Sequence, residues 1–259
     1  MNGILKSFVV VCTLAMAAVW TAPAHAQMSD VKEKSRMYSY VGFWNIPRSQ
    51  WGEMEKSDAA DLKTLEKALA NGTIVGYGTD LNLLHEADGA THDQWWSAMS
   101  LAGLLNVLDQ FYKSGSATSP VLGTATKHWD SIYVSRYYNW HPGSWKDVYT
   151  SGSCFKLKAD APSDALDVLS KNLLVPLLEK MMAEGAVHEY EIDTEAYHRQ
   201  PVSNFCIFEI VANAEALDKV GAAVRESFKS NPTYGPTFDS MVDWTGHRDE
   251  LTRTNATYK

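Results

Sequence analysis

The chain has 259 residues, 45% of them hydrophobic and 11% aromatic, and a formal net charge of −8. That length supports one large domain or two small ones. An acidic balance without any Lys/Arg run argues against a nucleic-acid partner or an anionic membrane surface.

Residues 1–26 read as a cleavable signal peptide. Lys6 supplies the positive start, Phe8 to Val19 is an apolar run too short to span a bilayer, and Ala24-His25-Ala26 is a small-x-small cleavage site. Cys12 follows three valines, a poor lipobox, so no lipid anchor is expected. The expected address is periplasmic or secreted, with cleavage after Ala26 and no membrane contact afterwards.

Met37 to Ile46 alternates and is aromatic, as a strand does. Asp58 reads as the cap of a helix whose apolar face is Leu62, Leu65 and Leu69, with Gly72 at its end. Thr73 to His85 predicts a long strand, in which Gly76 and Gly78 mark close backbone packing. Asp88-Gly89 is a turn dipeptide before a strand around Trp95–Met99. Leu101, Leu104, Leu105 and Leu108 make a helix stripe, and His128 to Asn139 is a β-branched, aromatic strand. Residues 141–147 read as a linker. Beyond it come a strand over 152–159, a helix over 164–184 that Pro176 should kink, and strands over 186–196 and 203–212. A helix over 214–230 and a weak strand near 238–245 complete the order.

The two halves echo each other. TLEKALANG (64–72) matches LLEKMMAEG (177–185) at five positions, and the same offset places Tyr77 on Tyr190, Asp80 on Asp193, His85 on His198 and Leu104 on Leu217. An internal duplication follows, with repeats at 37–140 and 148–255. Each repeat has the order β-α-β-β-α-β, a ferredoxin-like unit. The expected fold class is α+β: two tandem ferredoxin-like βαββαβ repeats whose antiparallel sheets pack face to face as a pseudo-dimeric α/β barrel. In topology and duplication the chain resembles the dimeric α/β-barrel superfamily, which includes antibiotic-biosynthesis-type monooxygenases and EthD-like, NIPSNAP-like and chlorite dismutase-like proteins. The resemblance implies a small-molecule site and permits haem, but fold alone constrains function weakly.

Strand alternation assigns faces. Cys206, Phe208, Ile210 and Ala212 are uniformly apolar and are expected under the helices, with Glu209 on the opposite, inter-sheet side. By the repeat, Trp95 takes the helix side and Trp96 the cavity. Tyr38, Tyr40, Trp44, Tyr77, His188 and Tyr190 join the cavity as ligand-binding candidates, and Arg136 is a candidate anchor for an anionic group. His85 and His198, repeated between halves, are the candidate acid/base residues. The stretch LLHEADGATHDQWW (83–96) also offers His85, Glu86, His92 and Asp93 as a weaker metal set, although its spacing matches no familiar signature. The same alternation puts Cys154 and Cys206 on opposite faces, so both are expected to be free thiols.

The expected function is binding or transformation of a small organic molecule in an aromatic-lined cavity, as a cofactor-light oxygenase or isomerase. The alternatives are a non-catalytic ligand-binding or stress-responsive module and a metal- or haem-dependent enzyme. No cofactor is required by any motif, and a monomer or a homodimer suits the fold.

Overall fold

The computed structural model describes residues 32–198 and 204–259. The expected signal peptide, residues 1–26, lies outside the described residues. In chain order the elements are β1 (Met37–Asn45), α1 (Trp51–Ala70), β2 (Gly76–Asn82), β3 (His92–Ala98), α2 (Leu101–Ser114) and β4 (Lys127–Trp140). There follow β5 (Gly143–Leu157), α3 (Ala165–Leu169), α4 (Val175–Ala183), β6 (Val187–Glu195), β7 (Asn204–Val211), α5 (Ala214–Ser230), α6 (Tyr234–Met241) and β8 (Val242–Tyr258). No helix among the described residues is long and apolar enough to cross a membrane.

The strands form one closed barrel in the order β1-β3-β2-β8-β5-β7-β6-β4, every neighbouring pair antiparallel. This corrects the expectation of two tandem sheets packed face to face. β2 pairs with β8 from Gly76↔Tyr258 to Asn82↔Thr252, and β4 pairs with β6 from Tyr133↔Glu195 to Trp140↔Glu189. Those two seams make a single sheet around a common bore, with the helices outside. The bore is lined by carboxylates and hydroxyls mixed with aromatic and aliphatic side chains.

Local chemistry explains most boundaries. Ser100 caps α2 by accepting from the Gly103 amide, and Asn213 caps α5 by accepting from the Ala216 amide. Gly72 and Gly185, with φ of 76° and 72°, take the left-handed turn after α1 and α4. Asp58 does not cap α1, which starts about two turns earlier, after Pro47 and a 3-10 turn at Arg48–Gln50. Pro176 leaves its mark as a π-helical turn at Ser170–Leu174, directly before α4. Proline donates no amide and crowds the carbonyl four residues back, and a wider turn relieves both.

Two late elements differ from expectation. Residues 143–147, read as linker, belong to β5, and residues 234–241 form α6 before a long β8 rather than a weak strand. β8 places Glu250, Thr252 and Thr254 toward the bore, so it lacks the apolar alternation that marks a half-buried strand. Gly76 and Gly78 do mark close packing: a Cβ at Gly76 would run into the Tyr258 ring, and one at Gly78 into the Trp95 ring.

Cys154 and Cys206 form a disulfide, which corrects the expectation of two free thiols. They sit directly opposite each other on β5 and β7, with Cα atoms 4.0 Å apart, so both side chains take the same face. Thiol labelling of the denatured, unreduced protein should find neither cysteine. Reduction should cost about 4 kcal/mol, the loop entropy of a 52-residue separation. Free thiols in untreated protein, or no loss of stability on reduction, would contradict the bridge.

Candidate functional site

A cavity of about 400 Å³ lies between the outer face of the barrel and the helices of the first half. Its floor is β1, β3 and β4. Its roof is α1, α2 and the segment 116–123. Tyr40 stacks on Trp96 with ring centroids 4.3 Å apart, and Phe111 closes against Trp96 at 5.3 Å. Trp96 is anchored by its indole N–H, which donates to the Leu104 carbonyl at 3.1 Å. Trp44 stacks on His128 at 5.0 Å. The result is an aromatic slot suited to a flat organic molecule.

Polar groups enter the slot from two sides. Asp58 and Asp61, one helical turn apart on α1, share a face toward it, and His128 and Asp130 alternate on β4. Burial, reinforced by neighbouring Asp61 and Glu55, pushes the Asp58 carboxyl up to about 7. Burial also raises Asp61, opposed by a hydrogen bond from Ser116. The Tyr40 hydroxyl is held above its ordinary range by burial and by its hydrogen bond to Asp130. His128 places Nδ1 2.9 Å from the Phe43 carbonyl and Nε2 3.4 Å from an Asp130 oxygen. Asp130 therefore links a phenol and an imidazole, while Asp58 is a carboxyl poised to exchange a proton near neutral pH.

The sequence candidates scatter around this site. Tyr40, Trp44 and Trp96 line it together, on the sheet face opposite the one expected. Tyr38 and Tyr77 also turn toward the helices, packing in the cluster around Leu65 and Leu104. Tyr190 packs in the corresponding cluster of the second half, where its hydroxyl donates to Glu179 at 2.8 Å. Trp95 faces the bore instead. The whole alternation is thus reversed. Phe208 and Ile210 line the bore, and Phe205, Ile207 and Val211 lie under the helices. Both rows of β7 are apolar, and the one carboxylate used to choose between them misleads. Glu209 sits on the helix side, where Ser151 hydrogen-bonds it and burial pushes it up to about 7.

The remaining candidates do not converge. His85 and His198 are exposed in the segments after β2 and β6, and they meet neither each other nor either cavity. His85 lies 5.8 Å from the Trp51 ring. Arg136 pairs with Glu33 at 2.9 Å and Asp167 at 3.0 Å on the outside. His188 stacks on Trp145 at 4.6 Å. The weaker metal set is divided, since His92 packs against Trp51 outside the barrel while Asp93 faces the bore and Glu86 is exposed. Among the described residues no three His, Cys, Asp or Glu side chains are placed to hold one metal ion. Haem does not fit the slot's donors either. Its one lining imidazole, His128, lies flat on Trp44 with Nδ1 against a carbonyl and Nε2 against a carboxylate.

Asp58, Asp61, His128 and Asp130 are not among the site candidates read from the sequence, where Asp58 stands only as a helix cap. Their signals are present as an Asp-x-x-Asp pair within a helix and a His-x-Asp pair within a strand, each spacing sharing a face. A third signal, Glu189-x-Glu191-x-Asp193, marks one face of β6.

No protein-family model matches the chain, and no curated protein matches it. Solved structures do. A provisionally assigned monooxygenase from Lactobacillus acidophilus NCFM has a TM-score of 0.60 at 11% identity, covering 87% of this chain and 97% of its own. Another from Fusobacterium nucleatum subsp. nucleatum has 0.61 at 10% identity, covering 87% and 95%. An anthrone oxidase-like protein has 0.52 at 10% identity, covering 87% and 94%. At these identities the likeness is one of fold.

Proposed function

We propose that the chain binds a flat aromatic molecule in the helix-side slot and transforms it by proton transfer. The observation that carries this reading is Asp58, a carboxyl raised to about 7 at the edge of a 400 Å³ aromatic cavity. As a base it would take a proton from an acidic C–H or O–H of the ligand. The Tyr40–Asp130–His128 chain would hold the ligand oxygen on which negative charge develops. The resulting carbanion, or the phenolate in resonance with it, either regains its proton at another carbon, an isomerisation, or transfers an electron to O₂ and recombines to a C–O–O⁻ peroxide, which takes back a proton and loses water to leave a carbonyl, an oxygenation without a metal. The fold shared with assigned monooxygenases and an anthrone oxidase-like protein supports the second outcome. The chain acts outside the cytoplasm after cleavage at Ala26, a reading supported by the Cys154–Cys206 bridge.

The test uses polycyclic phenols and aromatic ketones, with binding followed by quenching of tryptophan fluorescence. Asp58→Asn should lower turnover about 100-fold or more and remove the rate limb near neutral pH, while affinity changes little. Ala117→Trp, which fills the slot, should abolish binding. Binding that survives Ala117→Trp would place the ligand elsewhere, and turnover that survives Asp58→Asn would remove the carboxyl from the chemistry.

A further inference from the structure

The bore of the barrel is a second, separate cavity of about 80 Å³, and its lining is one-sided in charge. Six carboxylates face it: Asp80, Asp93, Glu189, Glu191, Asp193 and Glu250. Among the described residues no Lys, Arg or His lines it. Arg248, next on the same face of β8, is largely exposed and paired with Glu250.

These acids divide into two kinds. Asp80 accepts from Thr252, Thr254 and the Trp95 indole. Glu191 accepts from Ser39 at 2.9 Å, Tyr258 at 3.1 Å and Ser97 at 3.4 Å. Neutral donors aimed at both oxygens are the environment of an ionised carboxylate. Asp93, Glu189 and Asp193 differ. Each is at most 5% exposed, and each keeps one oxygen, Asp93 Oδ1, Glu189 Oε1 and Asp193 Oδ1, with no hydrogen-bond partner among the described residues. A buried acceptor left without a donor costs about 1–3 kcal/mol, and more when charged. Three of them around one cavity are a set of acceptors awaiting donors.

From this geometry we infer that the bore binds a linear aliphatic amine carrying two or more ammonium groups. The ligand must bring several N–H donors and positive charge. It must also be elongated, because the free oxygens lie on β6, at residues 189 and 193, and on β3, three strands away around the barrel. A divalent metal ion wants several oxygens converging on one point, and no such group occurs among the described residues. The rest of the wall suits alkyl ammonium as well. Trp95, Tyr133 and Tyr258 line the bore as aromatic partners for the cationic ends, and Ile210 and Phe208 as apolar surface for the methylenes.

Titration calorimetry of the whole protein with 1,4-diaminobutane and spermidine tests the inference. Saturable one-to-one binding is expected, with butylamine, magnesium chloride and calcium chloride failing to compete at equal concentration. Glu189→Gln and Asp193→Asn should each weaken binding by about tenfold or more, the scale of one lost charge-assisted hydrogen bond. Both changes replace a carboxyl by a neutral amide of the same shape, so both variants should fold, as a thermal melt would verify. Ala117→Trp, which fills the helix-side slot, should leave amine binding unchanged. Absence of amine binding, binding indifferent to both carboxyl variants, or displacement by magnesium or calcium would each overturn the proposal.

Discussion

The protein should be several kcal/mol more stable near pH 5 than near pH 8, when urea midpoints are compared in amine-free buffer. The cause is a set of buried carboxyls that hold their protons more tightly in the folded state than in the unfolded chain. Glu209 is pushed up to about 7 and Asp80 to about 6, both by burial first. Asp58 joins them at about 7, and burial lifts Asp93, Glu189 and Asp193 well above the carboxylate range. For a raised acid, stability is complete below the unfolded pKa, near 4, and is lost as pH climbs through the folded value. Two histidines act in the opposite sense. Burial lowers His92 to about 4 and lowers His188, so protonation of the unfolded chain below about pH 6.5 destabilises the fold. The carboxyls outnumber them and set the direction between pH 5 and 8. Glu209→Gln should flatten the profile by about 3 kcal/mol, the value of its shift at 1.36 kcal/mol per pKa unit. A midpoint that rises from pH 5 to 8 would contradict the protonated interior.

Adjacent tryptophans should respond very differently to truncation. Trp96→Ala should cost about 3–5 kcal/mol, since Trp96 is 1% exposed and packed on Tyr40, Phe111 and Leu104. It should also empty one wall of the helix-side slot and abolish aromatic binding there. Trp95→Ala should cost less, because part of its ring already faces the open bore. Its deletion also removes the indole donor to Asp80, at 2.8 Å, so it should raise the Asp80 pKa further and weaken amine binding. Denaturant midpoints of the two variants, with a ligand titration of each, check this ordering. The reverse ordering would put Trp95 under the helices and invert the face assignment of β3.

Those face assignments mark what the sequence conveys and what it withholds. Element positions are legible where local signals are strong. The Asn213 cap begins α5 at Ala214, and Gly72 and Gly185 end their helices with positive φ. Face assignment is not legible on β7, where Phe205, Ile207 and Val211 are as apolar as Phe208 and Ile210. Only closure of the barrel decides which row meets helices. The first half of β5 and most of β8 are hidden for the complementary reason, since Thr150 on β5 and Glu250, Thr252 and Thr254 on β8 turn polar side chains to the bore and leave no apolar alternation to read. The slot residues Tyr40, Trp44 and Trp96 were selected by shared parity, which is a property of the strand. Asp58 and Asp61 needed knowledge of where α1 begins, because a cap residue and a mid-helix residue point differently.

β8 has a consequence for the order in which the molecule assembles. It is the strand that bonds β2 on one side and β5 on the other, and the Thr254–Asp80 hydrogen bond spans 174 residues. Nothing upstream can complete the circle, so the nascent chain carries unpaired strand edges on β2 and β5 until residue 258 has emerged. Folding dominated by such distant pairings is slow. A barrel that stays open until β8 arrives keeps those edges exposed long enough to pair with a neighbour. Closure then removes both free edges in one step, and with them the template for strand-to-strand aggregation.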